Sequence, residues 1–189
     1  MSSIAVFASG NGSNFEALAV FFKNDSVDRI KLLVCDRKDA FVIDRAADYN
    51  IPVFLVNYPK NGIEQTEKDI ITHLNQIQID LIVLAGFMRI LSPFFINNVG
   101  IRIVNIHPSI LPEYKGAKAI ERAYESNDVF SGITIHFVNE EVDGGEIIIS
   151  EKVAINRELG IEEFKKDIHR LEHRLYPVTV KQILDKMRG

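Results

Sequence analysis

Continuous apolar runs rich in Val, Ile and Leu recur along the chain at residues 4–8, 30–35, 53–56, 81–85 and 101–104. An apolar run without alternating polar positions marks a strand buried on both faces, as in a parallel sheet covered by helices. Between the runs, residues 14–22, 40–49, 64–76, 93–97 and 117–125 have helical character. Strand and helix alternating in this way predict right-handed crossovers and a parallel sheet. The pattern changes after Gly132, where two β runs, 132–138 and 146–155, are joined by the turn-rich stretch 139–145. That pair predicts an antiparallel extension of the sheet. Residues 161–187 form a long amphipathic segment, expected to be a helix interrupted or bent near Pro177. The expected fold class is α/β: a Rossmann-like open sheet, mostly parallel with antiparallel C-terminal strands, and helices on both faces.

At 189 residues and 47% hydrophobic content the chain can bury one good core, so a single domain over 1–189 is expected. Lys and Arg total 22 against 26 Asp and Glu, a net charge of −4 with no basic stripe, which argues against a nucleic-acid partner. The stretch from Met1 to Gly10 has no basic residue and reaches glycine too early for a leader or a membrane span, so a cytoplasmic protein with no membrane partner is expected. Cys35 is the only cysteine, which excludes an intrachain disulfide and a cysteine zinc cluster. Its place in an apolar run makes it a core thiol.

Open α/β sheets bind ligands beyond the carboxyl ends of their strands, near the point where strand order reverses. The segments 9–14, 86–91 and 105–112 follow apolar runs and are more polar or glycine-bearing than a plain connection requires. In Ser9-Gly10-Asn11-Gly12-Ser13-Asn14 the glycines let a ligand approach the backbone, and the helix that follows offers unpaired N–H groups and a positive dipole end to an anion such as phosphate. The same residues also suit a plain tight turn with Ser13 or Asn14 as cap, and they match neither the P-loop nor the dinucleotide pattern. Asn105-Ile106-His107 places an amide and an imidazole on one side of an extended chain, where they can converge on an oxyanion and supply a proton. The alternative is a core histidine beside a turn at Pro108. Asp143-Gly144-Gly145 lies in the late turn, where its carboxylate can orient His107 and raise its pKa, or where Asp-Gly simply makes a hairpin. His136, on a strand, reads as packing or as a supporting hydrogen-bond partner; His73, on a helix with no evident partner, reads as surface. His169 and His173 stand four apart, a spacing open to metal, but no third ligand is near and no metal is expected.

Asn105-Ile-His107-Pro-Ser109-Ile-Leu-Pro112 resembles the N-I-H-P-S-[LI]-L-P signature of the folate-dependent formyltransferases, and Gly10-Asn-Gly-Ser-Asn14 resembles the phosphate loop of their glycinamide ribonucleotide branch. Leu84-Ala-Gly-Phe-Met-Arg-Ile-Leu91, His136-Phe-Val, Val142-Asp-Gly-Gly145 and Glu172-His-Arg-Leu-Tyr-Pro177 follow in the order and spacing of that branch, so the resemblance spans essentially the whole chain. It implies a catalytic trio of Asn105, His107 and Asp143, and a substrate-phosphate loop of Gly12, Ser13 and Asn14. His169, Arg170, Leu171 and Glu172 match the segment that holds the glycinamide end. The folate pocket matches Met88, Arg89, Ile90 and Leu91, together with Asn105, Asn139, Glu140, Glu141, Val142 and Asp143. The chain departs from the family pattern near Ile63, where some members carry an arginine by the folate tail and the cations here are Lys60 and Lys68. Lys118 lies in a stretch, 116–120, where some relatives have histidines.

The reaction that the resemblance implies is attack by the amine of glycinamide ribonucleotide on the formyl carbon of 10-formyltetrahydrofolate, a step of purine biosynthesis with no protein nucleophile and no metal. The implied partners are these two small molecules, and the protein is a monomer or a homodimer. A formyltetrahydrofolate hydrolase, or a formyltransferase acting on methionyl-tRNA or a sugar nucleotide, would need a further domain; the acidic charge also disfavours tRNA. A non-catalytic nucleotide- or folate-binding module would need the glycine loop but not the trio. A nicotinamide dehydrogenase would need a different glycine spacing.

Overall fold

The computed structural model describes residues 1–189, the side chain of Pro59 excepted. Its strands are β1 (Ser2–Ala8), β2 (Asp28–Cys35), β3 (Val53–Leu55), β4 (Leu81–Leu84), β5 (Arg102–His107), β6 (Phe130–Phe137) and β7 (Ile147–Ala154). They form a sheet in the order β3-β2-β1-β4-β5-β6-β7, parallel through β5 and antiparallel at β6 and β7, as the apolar pattern predicts. The helices are α1 (Ser13–Phe22), α2 (Val42–Asp48), α3 (Tyr58–Asn61), α4 (Ile63–Ile77), α5 (Pro93–Asn98), α6 (Ala119–Glu125) and α7 (Ile161–Arg188), with a 3-10 turn at Arg157–Leu159.

Side-chain alternation sorts each strand between two cores. In β1, where every residue is buried, Ile4, Val6 and Ala8 join Phe15, Leu18, Ala46, Ile168 and Val180 on one face, while Ala5 and Phe7 join Ile70, Leu74 and Phe95 on the other. The parity of β2 changes at Lys31, where the β1–β2 register skips a residue, and the Lys31 ammonium donates to the Ile77 carbonyl at 3.1 Å. Val104, Ile106, Ile133 and Ile135 of β5 and β6 face the first core, under α7. Asn105, His107, Thr134 and His136 therefore share the opposite face. The second core takes in Ile103 but, among the described residues, none from β6, so that face is free to carry polar groups at the ends of β5 and β6.

Several expectations are corrected. The last helix is not interrupted at Pro177. Its flank is anchored by the buried Tyr176, whose hydroxyl donates to the Leu84 carbonyl at 2.8 Å and the Val104 carbonyl at 3.2 Å, and such anchoring offsets the ~3 kcal/mol cost of an interior proline. α3 was not anticipated because four residues are too short to show a period; its N-cap, Asn57, accepts the Lys60 N–H at 3.1 Å. α2 begins at Val42, after a turn in which the Ala40 N–H donates to the Arg37 carbonyl at 3.2 Å. His73 has a partner after all: its ring stacks on Phe54 with centroids 4.4 Å apart. Cys35 is buried as expected, and burial pushes its thiol up. Among the described residues no helix is long and apolar enough to cross a membrane.

The end of α7 is pinned to the start of the sheet through Asp28, whose side chain is fully buried. Its carboxylate accepts from Lys181 Nζ at 2.6 Å and the Ser2 N–H at 3.3 Å, and it pairs with both terminal nitrogens of Arg188. Burial alone would raise this carboxyl, but Arg188 and Lys181 together outweigh it and hold it below the ordinary value of 3.8. A carboxyl depressed on folding stabilises above its unfolded pKa, and the gain is lost as pH falls through the folded value. Asp28→Asn is expected to cost about 2–4 kcal/mol in urea melts near pH 7, with the gap to the native chain closing as pH falls below 3.8.

Candidate active site

The strand order reverses between β1 and β4, and the loops that follow these two strands are tied together there. The Ser9 N–H donates to the Gly86 carbonyl at 3.1 Å, and the Met88 N–H donates to Ser9 Oγ at 2.8 Å. One strand further along, the antiparallel pairing of β5 with β6 sets Asn105 opposite His136 and His107 opposite Thr134. The loop that links β6 to β7 brings Asp143 back over this pair. Asp143 Oδ2 lies 3.2 Å from His107 Nδ1, and Oδ1 accepts from Asn105 Nδ2 at 3.5 Å and stands 3.6 Å from His136 Nε2. The loop can fold so tightly because of Gly145: a Cβ there would meet the Phe137 carbonyl oxygen at 1.7 Å.

Asn105 Nδ2 also donates to His136 Nε2 at 3.3 Å, which leaves the His136 proton on Nδ1, facing the Phe137 carbonyl at 2.8 Å. The other nitrogen of His107, Nε2, donates to the Tyr114 carbonyl at 3.0 Å, and the Gly116 N–H donates to Asp143 Oδ2 at 2.8 Å. Burial works to raise the Asp143 carboxyl, but the neighbouring His136, the hydrogen bond from the Gly116 N–H and the charge of His107 hold it below its ordinary range. Burial pushes the His107 imidazole down; Asp143 and the Tyr114 carbonyl push it up and offset only part of this. The expectation that Asp143 raises His107 is therefore right for its own contribution, while the net shift is downward.

The phosphate-type loop sits against α2. Gly12 has φ +78°, and a Cβ on it would meet Val42 Cγ2 at 2.4 Å, so no other residue fits this turn without strain. The Val42 N–H donates to the Gly10 carbonyl at 3.1 Å, and Arg45 donates to the Asn11 carbonyl at 2.9 Å and to Asn11 Oδ1 at 3.1 Å. No side chain caps α1, so neither Ser13 nor Asn14 acts as the cap. Asn14 instead donates from Nδ2 to Glu172 Oε2 at 3.0 Å, joining the loop to α7. The first-turn N–H groups of α1 are thus not spent on a cap, and they carry the positive end of the helix dipole.

The other expected positions are placed unevenly. Arg170 pairs on the surface with Asp167 and Glu163, and Leu171 belongs to the core. His169 stacks near His173 with centroids 6.4 Å apart, and among the described residues no group of three or more His, Cys, Asp or Glu is arranged to hold a metal. In the 86–91 loop, Met88 and Ile90 are exposed, Leu91 is buried, and Arg89 is held by Asp36 at 2.7 Å. Glu140 and Glu141 are exposed and tied to Asn97 and Lys115, and Asn139 braces its own loop through the Gly144 carbonyl at 3.2 Å. Val142 is exposed. Lys68 pairs with Glu64 on the α4 surface. Sequence reasoning left His136 at the margin and missed Tyr114, Gly116 and Arg45 altogether. Only the β5–β6 register and the course of the 108–118 loop bring the first three in.

Residues 2–180 match the family model described as formyl transferase. The chain belongs to that family. Phosphoribosylglycinamide formyltransferase of Bacillus subtilis is 41% identical over 187 residues, which cover 97% of this chain and 95% of that protein. The protein of the same name from Haemophilus influenzae is 40% identical, with 96% of this chain and 86% of that protein covered. The crystal structure of phosphoribosylglycinamide formyltransferase from Bacillus halodurans is similar at a TM-score of 0.93 and 39% identity, covering 98% of this chain and 97% of that one. A separate cavity lies away from this polar cluster. That cavity, about 640 Å³, lies by Arg102 and Ile147 at the strand starts and by Lys186 on α7, and none of the expected site residues lines it.

Glu172 is only 5% exposed, and burial lifts its carboxyl to about 7, with the Asn14 amide opposing. A carboxyl raised on folding destabilises progressively as pH rises from its ordinary 4.5 through about 7, because the unfolded chain gives up its proton first. Glu172→Gln in the unliganded protein is therefore expected to gain up to about 3 kcal/mol at pH 8 and little at pH 4.5, read from thermal melts at both.

Proposed function

We propose that this chain transfers the formyl group of 10-formyltetrahydrofolate to the amine of glycinamide ribonucleotide, yielding formylglycinamide ribonucleotide and tetrahydrofolate in purine biosynthesis. The whole of 1–189 acts as one formyltransferase domain. The observation that carries the reading is the Asp143 carboxylate, which reaches both His107 and Asn105 from a separate loop. The relatives in Bacillus subtilis and Haemophilus influenzae are named for the same substrate.

The amine nitrogen attacks the formyl carbon, the carbonyl becomes a tetrahedral oxyanion, and the bond to folate N10 breaks as the proton lost by the amine ends on that nitrogen. Asn105 stabilises the oxyanion as a donor and His107, protonated between the Tyr114 carbonyl and Asp143, stabilises it by its charge; His107 relays the proton with Asp143 behind it. The substrate phosphate is held at Gly12, Ser13 and Asn14 by the first-turn N–H groups of α1. Glu172, tied to Asn14, faces the glycinamide end. Exposed Met88, Ile90 and Val142 offer apolar surface to the flat pterin ring. The roles of Arg170 and Leu171 are limited to carrying Glu172 on α7, since their own side chains are engaged elsewhere. No protein nucleophile takes part: Cys35 is buried and donates to the Arg37 carbonyl at 3.3 Å. Holding two substrates in register contributes on the same scale as the proton chemistry.

A folate-release assay with and without glycinamide ribonucleotide tests the reading. Release that depends on the amine is expected; release without it indicates a hydrolase, and none under either condition indicates a binding module. Asp143→Asn is expected to lower turnover ~10²–10⁴-fold. It should also move the His107 limb of the pH–rate profile to lower pH, because the charge that pushes the imidazole up is removed. Because the two groups act as a unit, His107→Ala with Asp143→Asn should be little worse than His107→Ala alone, whereas multiplicative losses would separate Asp143 from His107.

A further inference from the structure

The loop from Ser109 to Lys118 is more than a connection between β5 and α6, for it supplies a backbone group to each half of the catalytic pair. The Tyr114 carbonyl receives His107 Nε2, and the Gly116 N–H is given to Asp143 Oδ2. A carbonyl and a carboxylate can only accept, so Tyr114 draws a proton to Nε2 while Asp143 draws one to Nδ1; together they hold the ring in one orientation and favour its doubly protonated form. Displacing the Tyr114 carbonyl would leave Asp143 as the acceptor and keep the proton of the neutral ring on Nδ1.

Tyr114 itself is in the left-handed region, φ +57°, a conformation that a bulky residue keeps only when its surroundings hold it. Its side chain is held from two directions. The Arg122 guanidinium lies over its ring at 5.6 Å and also donates to the Lys115 carbonyl at 2.7 Å, and the Tyr114 hydroxyl donates to Asp128. The turn bearing Asp128 is in turn fixed by Arg157, which donates to the Ser126 carbonyl at 2.6 Å and the Asp128 carbonyl at 2.9 Å. Asp128 and Arg157 are exposed side chains, and neither forms a hydrogen bond or ion pair with Asn105, His107 or Asp143.

We infer that Tyr114, clamped between Arg122 and Asp128, is a positioning residue whose carbonyl holds a proton on His107 Nε2 and fixes the orientation of the ring. This rests on the proposed formyl transfer for its consequence in rate, but not for its structural readout. Held from outside the site, the clamp makes the geometry of a buried imidazole depend on surface contacts.

The test uses two independent releases: Asp128→Ala, which removes the anchor for the hydroxyl at an exposed position, and Tyr114→Phe combined with Arg122→Met, which frees the ring. Imidazole ¹⁵N signals of neutral His107 in the unliganded protein should shift from a form shared between Nε2–H and Nδ1–H towards Nδ1–H, the proton that Asp143 holds. Turnover should fall roughly tenfold with the Michaelis constants of both substrates within about twofold, since the reacting geometry and not the binding is disturbed. A purely structural clamp would lower the melting temperature while leaving the imidazole signals and the turnover of folded protein unchanged. That result in Asp128→Ala, with its fold confirmed by melting, overturns the inference even if the double variant fails to fold. If the native chain shows no formyl transfer, the reading of function fails, and the imidazole signals still decide whether the clamp holds the Nε2 proton.

Discussion

The site depends on one constraint above all, the antiparallel register between β5 and β6. With Asn105 opposite His136 and His107 opposite Thr134, the strand alternation that presses Val104, Ile106, Ile133 and Ile135 onto the first core also lifts four polar side chains together on the other face. A slip of one residue would exchange these sets, burying polar groups under α7 and exposing the isoleucines. Stability and chemistry are thus bound to the same pairing, and a register error cannot spare one while losing the other.

Around that pairing the chain satisfies its buried polar groups from several elements at once. Thr134 Oγ1 donates to the Ser109 carbonyl at 2.8 Å and accepts the Leu111 N–H at 3.0 Å, so the strand opposite His107 also holds the start of the loop that returns over the site. Asp143 is buried yet kept ionised because its oxygens meet His107, Asn105 and the Gly116 N–H. Glu172 has fewer donors, with the Asn14 amide its single hydrogen-bond partner among the described residues, and its carboxyl rises to about 7. The two carboxylates are therefore in opposite electrostatic conditions, the one surrounded by donors and the other largely starved of them.

Much of this was legible in the sequence, and the limits were physical. Strands buried on both faces announce themselves as unbroken apolar runs, which is why β1, β2, β4 and the parallel order could be anticipated. Asn105, His107 and Asp143 carried their own chemical signals and a family signature. The parity change at Lys31, the four-residue α3 and the unbroken path through Pro177 could not be read, because each is decided by contacts distant in the chain. The same holds for His136, whose role comes from cross-strand pairing, and for Tyr114, which acts through a backbone carbonyl that any residue possesses. Arg170 and Leu171 adjoin Glu172 in sequence but not in space, because successive helix positions point in different directions: Arg170 pairs on the surface and Leu171 packs in the core.

α7 serves as a gauge rod. Near its middle Glu172 meets the loop after β1; one turn on, Tyr176 grips the carbonyls of β4 and β5; at its far end Arg188 is locked to Asp28 where β1 and β2 begin. From Glu172 to Arg188 the helix rises about 24 Å. Fixing both ends leaves no slack in length or in rotation, since each added or deleted residue turns the rod by about 100°. Between Glu172 and Arg188, then, side chains are open to exchange on the outer face while the residue count is not.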